Sequence, residues 1–402
     1  MRVSTSLVYS LGVDGIARAQ ADLLRTQQQI ASGQRLLAPA DDPVASVQVL
    51  GISAAQGQTA QYAANVGTGK DSLRIYESSL AQVTDQLQSI RTLAVNAGSG
   101  ALNDSDRASL AGELGNRLQQ LIGIANGKDG AGHYLFSGFQ VNTQPFVANA
   151  NGATYFGDQG QVQLQVASGR QLPASENGNA VFENIRSGNG AFAALAAGVN
   201  TGTGVISGGQ VINAAALTGH NYQLQFNVAG GVTTYDILDT TTASVVSAGN
   251  AYTAGAPIAV AGLQVQITGA PANGDAFTLA PSGNQSLFTT VAKLIATLKI
   301  PGGNPAGRAQ ITNGLNQALQ NVDQALDHVL VVRAGIGARL GELDALTSAN
   351  DDRSLQYQQT LSNLRDLDYN KALSDFARQQ LALDAAQKSF LKVSALSLFN
   401  HI

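Results

Sequence analysis

The sequence predicts an α+β chain in which both ends form long antiparallel helical rods and an antiparallel β region is inserted between them. Two observations carry this reading. Near both ends, apolar residues recur every seven residues, or at alternating threes and fours, the period of a helix that lays one stripe on a partner. Between about 141 and 285 the apolar period falls to two, the period of a strand.

Taken in order, the first stripe is Tyr9, Ile16, Leu23, Ile30 and Leu37, and its counterpart at the far end is Tyr369, Phe376, Leu383 and Phe390. Each is a single stripe on a helix too weakly amphipathic to stand alone in water. They are natural partners for each other and are the expected assembly seams.

The stretch "SGQRLLAPADDPVAS" at 32–46 breaks the helix and restarts it. Paired carboxylates such as Asp41 and Asp42 can hold a metal or share a proton, but "LLAPA" and "VASVQVL" on either side supply no further ligand. Asp is a favoured N-cap and Pro is favoured at the first helical position, so Asp42 with Pro43 reads as a helix cap. Pro39 disfavours helix at Ala38.

From about 43 to 98 runs the first rod, with its seam at Leu73, Tyr76, Leu80, Val83, Leu87, Ile90, Ala94 and Ala97 and an upstream extension through Ile52, Ala55, Tyr62 and Val66. At 1.5 Å per residue it spans on the order of 80 Å. "GSGALNDSD" ends it, and a second helix follows with Leu110, Leu114, Leu118 and Leu121, capped by Asp104 or Ser105. The later rod carries Ile311, Leu315, Ala318, Val322, Ala325, Val329, Ile336, Leu340 and Leu343, then Tyr357, Leu361 and Leu364, with polar Asn350 and Ser354 interrupting the seam.

In the middle, "QVQLQV" alternates Val162, Leu164 and Val166, and "NYQLQFNV" alternates Tyr222, Leu224, Phe226 and Val228. "AGG" supplies a hairpin turn before "VTTYDIL", and "LQVQI" and "AFTL" add strands. The expected domains are a terminal coiled coil of 1–40 with 365–402, a helical rod domain of 43–140 with 286–364, and a β-rich domain of 141–285, divided near 205.

Composition limits the chemistry. Charged residues make up 12% of the 402, the net charge is −4 and cysteine is absent. The mild negative charge gives nucleic acid no basic surface. No cysteine means no disulfide, thiol nucleophile or thiolate metal site. No run of about 20 apolar residues is present to span a membrane, and "MRVSTSLVYSLGVDG" has no apolar core of a cleaved signal peptide. The histidines His133, His220, His328 and His401 show no metal-ligand spacing. "GDQGQ" and "SGNGAF" do not sit between strand and helix as phosphate loops must, and "NDSD" at 103–106 lacks a calcium loop's spacing. No catalytic, cofactor or metal residue is expected, and the chain does not read as an enzyme.

The flanks carry a resemblance. "QQQIASGQRLLAPADDPVAS" resembles the amino-terminal signature of bacterial flagellins, and "VRAGIGARLGELDAL" with "LSNLRDLDYNKALSDFARQQLALDAAQKSFLKVSALSLF" resembles the carboxy-terminal one. With "IRTLAVNAGSGALNDSDRASLAGEL", these cover about half the chain in the right order. Within that superfamily, "IANGKDGAGHYLFSGFQVNTQPF" is similar to the hook-associated proteins of the hook–filament junction. The resemblance implies terminal helices innermost, a rod domain next and β domains outermost. It implies an extracellular subunit exported through the flagellar type III route and assembled as a ring of like subunits. Its implied partners are another hook-associated protein on one side, flagellin on the other and an export chaperone. The rival readings are a flagellin forming the filament itself and, from another class, an intracellular coiled-coil scaffold.

Overall fold

The structure, a computed structural model, describes residues 5–395. Its α-helices are α1 (Thr5–Ser32), α2 (Pro43–Ala97), α3 (Asp104–Ala125), α4 (Leu287–Leu298), α5 (Pro305–Arg365) and α6 (Tyr369–Ala395). Two compact units divide the chain: residues up to 64 with those from 345, and Asn65–Asp344.

In the first unit, α1 and α6 pack as an antiparallel pair. Tyr9, early in α1, meets Phe390, late in α6, edge to face at 5.5 Å. At the other end, the Tyr369 hydroxyl lies where a Cβ on Gly33 would approach to 3.0 Å. Gly33 follows the last helical residue and has φ +69°, the left-handed stop that glycine takes without strain.

In the second unit, α2 and α5 run antiparallel. Ion pairs along their length fix the direction: Lys70 with Asp344 at 2.6 Å, Glu77 with Arg333 at 2.7 Å, and Arg91 with Asp323 at 2.6 Å. The heptad residues Leu73, Leu80, Val83, Leu87, Ile90 and Ala94 of α2, and Val322, Val329 and Ile336 of α5, are fully buried. The helix α3 packs along α4. Its cap is Asn103, which corrects the expectation of Asp104 or Ser105: the Asn103 side chain accepts from the Asp106 N–H, and Asp106 accepts in return from the Asn103 N–H. This is a capping box one residue upstream. Asp104 lies in the first turn and pairs with Arg107.

Two hairpins come first in the β region: β1 (Phe146–Asn149) with β2 (Gly152–Tyr155), and β3 (Gln163–Ala167) with β4 (Arg170–Pro173). The chain then passes through β5 (Ile185–Arg186) into a sandwich of β6 (Phe192–Ala196), β7 (Val205–Ile206), β8 (Gln210–Val211), β9 (Tyr222–Ala229), β10 (Val232–Asp239), β11 (Ser244–Ala251), β12 (Pro257–Val260), β13 (Leu263–Thr268) and β14 (Ala276–Pro281). It leaves through β15 (Asn284–Gln285), which pairs with β5. One sheet has the order β11-β10-β9-β14-β6; the other has β12-β13-β7, with β8 also on β13. Every pairing is antiparallel. Gly230 and Gly231, with φ +59° and +79°, close the β9–β10 hairpin, which matches the double left-handed turn such hairpins need. Both sheets contribute to one core, including Phe192, Phe226 and Phe277 from the first and Ile258, Val265 and Ile267 from the second. Position 205 falls at β7, while β6 upstream of it shares a sheet with β9 and β14.

Candidate assembly interface

The seam residues divide into two groups. Ile16, Leu23 and Ile30 on α1, and Phe376, Leu383 and Phe390 on α6, are half-buried. Leu37, in the loop after α1, and Tyr369, the first residue of α6, are exposed at 38% and 50%. Gly12 makes room for Phe390: a Cβ there would lie 2.6 Å from the ring. The helix α1 exposes Leu11 and Leu24, and α6 exposes Leu373 and Leu381, each more than half accessible. A folded chain rarely leaves so many large aliphatic side chains in water unless another surface covers them.

Beside this pair lies a polar joint made from the loop 33–42 and the break 366–368. Asp42 precedes α2: its Oδ1 accepts from the Ala45 N–H at 3.0 Å, and its carbonyl accepts the first helical bond from Ser46. Pro43 is the first helical residue. Asp41 does different work. Its Oδ2 accepts from the Leu37 and Ala38 N–H groups at 2.8 and 2.9 Å, and Oδ1 pairs with Arg25 at 2.9 Å. Those backbone donors, Ala38 first, hold the Asp41 carboxyl below the ordinary range, and the Ala45 N–H does the same for Asp42. Both carboxylates are thus occupied by backbone and arginine.

Arg35 completes the joint and was not singled out in the sequence. Its backbone N–H donates to Arg365 O at 2.7 Å, its guanidinium donates to Leu364 O at 2.8 Å, and it reaches Asp42 at 3.4 Å. A cation therefore meets the orphan carbonyls at the end of α5, and a carboxylate meets the start of α2, as helix dipoles favour. Leu367 N donates to Gly33 O at 3.0 Å, tying the two breaks together. The local signal in the sequence was "SGQR", a glycine stop followed by a cation. The partner lies 329 residues away.

Within "GHYLFSGF", Leu135, Phe136, Ser137 and Gly138 are buried and form a hub in the second unit, while His133 and Phe139 are exposed. The Tyr76 hydroxyl donates to Leu135 O at 2.5 Å, and burial pushes this phenol up. Phe136, Phe146, Phe182 and Phe288 cluster edge to face or tilted, with ring centroids 4.9–5.6 Å apart. Asp158, in "GDQGQ", accepts from the N–H groups of Phe139 and Gly160, so that stretch is a turn clipped to the hub.

His133 sits in a turn, His220 Nδ1 lies 2.7 Å from Asp239, and His328 Nε2 lies 2.8 Å from Ala180 O. His401 and the end of the carboxy-terminal stretch lie outside the described residues. Among the described residues, no three His, Asp or Glu side chains converge as metal ligands, and no helix is long and apolar enough to cross a membrane.

Long helices at both ends of the chain, with a β sandwich inserted between them in the sequence, define a flagellin-like architecture. The family described as the bacterial flagellin N-terminal helical region matches residues 3–141. Flagellar hook-associated protein 3 of Salmonella typhimurium is 28% identical over 99% of this chain and 99% of its own. A crystal structure of flagellar hook-associated protein 3 from Legionella pneumophila has a TM-score of 0.75 at 32% identity, covering 78% of this chain and 98% of that one. A structure of the flagellar junction protein FlgL from the same organism has a TM-score of 0.72 at 32% identity, covering 79% and 100%. The flagellin of Listeria monocytogenes is 25% identical over 31% of this chain and 44% of its own. The chain belongs to the family of flagellar hook-associated protein 3, a structural component of the bacterial flagellum and not an enzyme family. The likeness to flagellins covers under two fifths of the chain, so the full-length sequence relation lies with the junction protein and not with the filament subunit.

Proposed function

We propose that this chain joins the flagellar hook to the filament as a ring of like subunits. In this reading it meets another hook-associated protein on the hook side and flagellin on the filament side. It reaches the flagellum outside the cell by type III export, escorted by a chaperone and without a cleaved signal peptide. The terminal coiled coil of 1–40 with 365–402 forms the inner wall, the rods of 43–140 with 286–364 the next layer, and the β region of 141–285 the outside. The observation that carries it is the α1–α6 pair. Its seam residues Ile16, Leu23, Ile30, Phe376, Leu383 and Phe390 are only half-buried, and Leu11, Leu24, Leu373 and Leu381 are exposed on it. Burying a Leu, Ile or Phe fully contributes about 1.5–3 kcal/mol, so repeating these contacts around a ring gives a stiff joint. The test is a strain lacking the protein. Hooks should form, and flagellin should accumulate unassembled in the medium. Intact filaments in that strain would refute the junction role.

A further inference from the structure

The β sandwich has its own core, drawn from residues 192–279 and including no residue of α5. Its covalent connection to the rest is the two-residue ribbon β5–β15. What sets its orientation along α5 is of another kind. Gln310 Nε2 donates to Asn200 O at 2.9 Å. Asn313 Nδ2 donates to Gly204 O and its Oδ1 accepts from the Ile206 N–H, both at 2.9 Å, so one side-chain amide satisfies the edge of β7 as a neighbouring strand would. The buried Asn321 Oδ1 accepts from the Gly188 N–H at 2.7 Å. The glycines facing this row are part of the fit. A Cβ on Gly208 would fall 1.3 Å from the Gln320 amide, and one on Gly190 would fall 3.0 Å from Gln324. Residues 310, 313, 320, 321 and 324 recur at helical spacing, so α5 presents a row of side-chain amides to the backbone of the sandwich.

We propose that this row is a latch, and that the sandwich is a domain hinged at β5–β15 and held in one orientation by α5. An interface of this kind differs from an apolar one. Opened, it leaves amides and peptide groups that water satisfies, so the sandwich can swing and reseat without exposing its core. Space for the movement is present beside the Gln310 contact, where a cleft of about 660 Å³ is lined by Val199 and Thr203 on one side and Ile300, Pro301 and Asn304 on the other. The proposal is independent of the assembly role.

The chain has no cysteine, so Gln82→Cys on α2 and Val245→Cys on β11, both exposed, make a unique pair of spin-label sites in the full chain. In that background the intact latch should give one narrow distance distribution. The triple change Gln310→Ala, Asn313→Ala, Asn321→Ala should give a broad one, with the circular dichroism of the folded chain retained. A distribution as narrow as the parent's in the folded triple variant would overturn the latch. If the triple variant does not fold, hydrogen exchange on the unaltered chain decides. The Gly188 and Ile206 amides should exchange through local opening, faster than those of Leu224 and Leu279 in the sandwich core. A single common rate for all four would overturn the proposal.

Discussion

At Asp41 and Asp42, two adjacent carboxylates do unlike work, and acid should undo both. Each is held below its ordinary pKa of 3.8 in the folded chain, chiefly by backbone donors. The unfolded chain therefore binds more protons as pH falls, and folding loses support in that direction. The contribution is complete above the ordinary carboxylate range and fades as pH drops below about 4 through the depressed values. Melting of the chain followed by circular dichroism between pH 5 and pH 3 should show a falling midpoint, and the double change Asp41→Asn, Asp42→Asn should flatten that slope. An unchanged slope would mean that other groups carry the acid response. Asp42→Ala should lower the midpoint at neutral pH more than Asp42→Asn, because asparagine retains a cap oxygen for the Ala45 N–H.

Gly138 makes a sharper case at the same scale. Its φ is +72°, and a Cβ there would lie 2.0 Å from Asp158 Oδ1, which holds the Phe139 and Gly160 N–H groups. Gly138→Ala combines a left-handed penalty of about 1–2 kcal/mol with displacement of that carboxylate. Urea unfolding should show a loss of at least about 2 kcal/mol. A loss under about 0.5 kcal/mol, the range of an ordinary surface change, would mean that the turn refolds around the methyl.

Among the elements, the long helices were legible because one physical fact, burial of one face, writes itself into the spacing of Leu73, Tyr76, Leu80, Val83, Leu87 and Ile90. The strands at 222–228 and 232–238 were legible for the same reason at period two, and the turn between them because two left-handed residues call for glycine. What the spacing could not show is pairing at a distance. That β6 joins β14, that Arg35 closes the end of α5, and that Asn313 satisfies the edge of β7 depend on groups about 80 to more than 300 residues apart. Asn103 was missed as a cap because Asn, Asp and Ser stand in a row, and only backbone geometry chooses among them. Of the seam residues, Leu37 and Tyr369 kept the period, but Leu37 fell in the loop beyond Ser32 and Tyr369 at the first position of α6, and both are exposed.

The polar interruption at Asn350 gives a prediction for α5. Its side chain is 3% exposed, and its Nδ2 meets no acceptor among the described residues. An unmade bond on a buried amide costs about 1–3 kcal/mol. Asn350→Leu should therefore raise the stability of the free chain by roughly 1 kcal/mol in urea unfolding, at some loss of the register that a single polar seam residue imposes. A destabilised leucine variant would show that the amide is satisfied in solution by water.

For the molecule as a unit of assembly, the decisive comparison is between changes that damage the free chain and changes that damage only its burial by others. Leu383→Asp with Phe390→Asp puts two charges into the α1–α6 seam, where Phe390 meets Tyr9 edge to face. A carboxylate desolvated without a partner is penalised by several kcal/mol. That variant should loosen the pair and fail to retain filaments, but it does not separate the two causes. Leu381→Asp does. Leu381 is 70% exposed on α6, so its replacement should move the free chain's melting midpoint little. In a ring that buries the outer face of the pair, the same change should leave hooks intact and send flagellin into the medium. Removing 188–282 through the β5–β15 ribbon takes out the sandwich with its own core and should spare at least part of the motility. Cutting at 205 would instead leave β6 without its sheet. Filaments retained as usual on Leu381→Asp subunits would mean that this face of α6 stays in water in the assembled flagellum, which would count against the proposed burial of the pair in a ring.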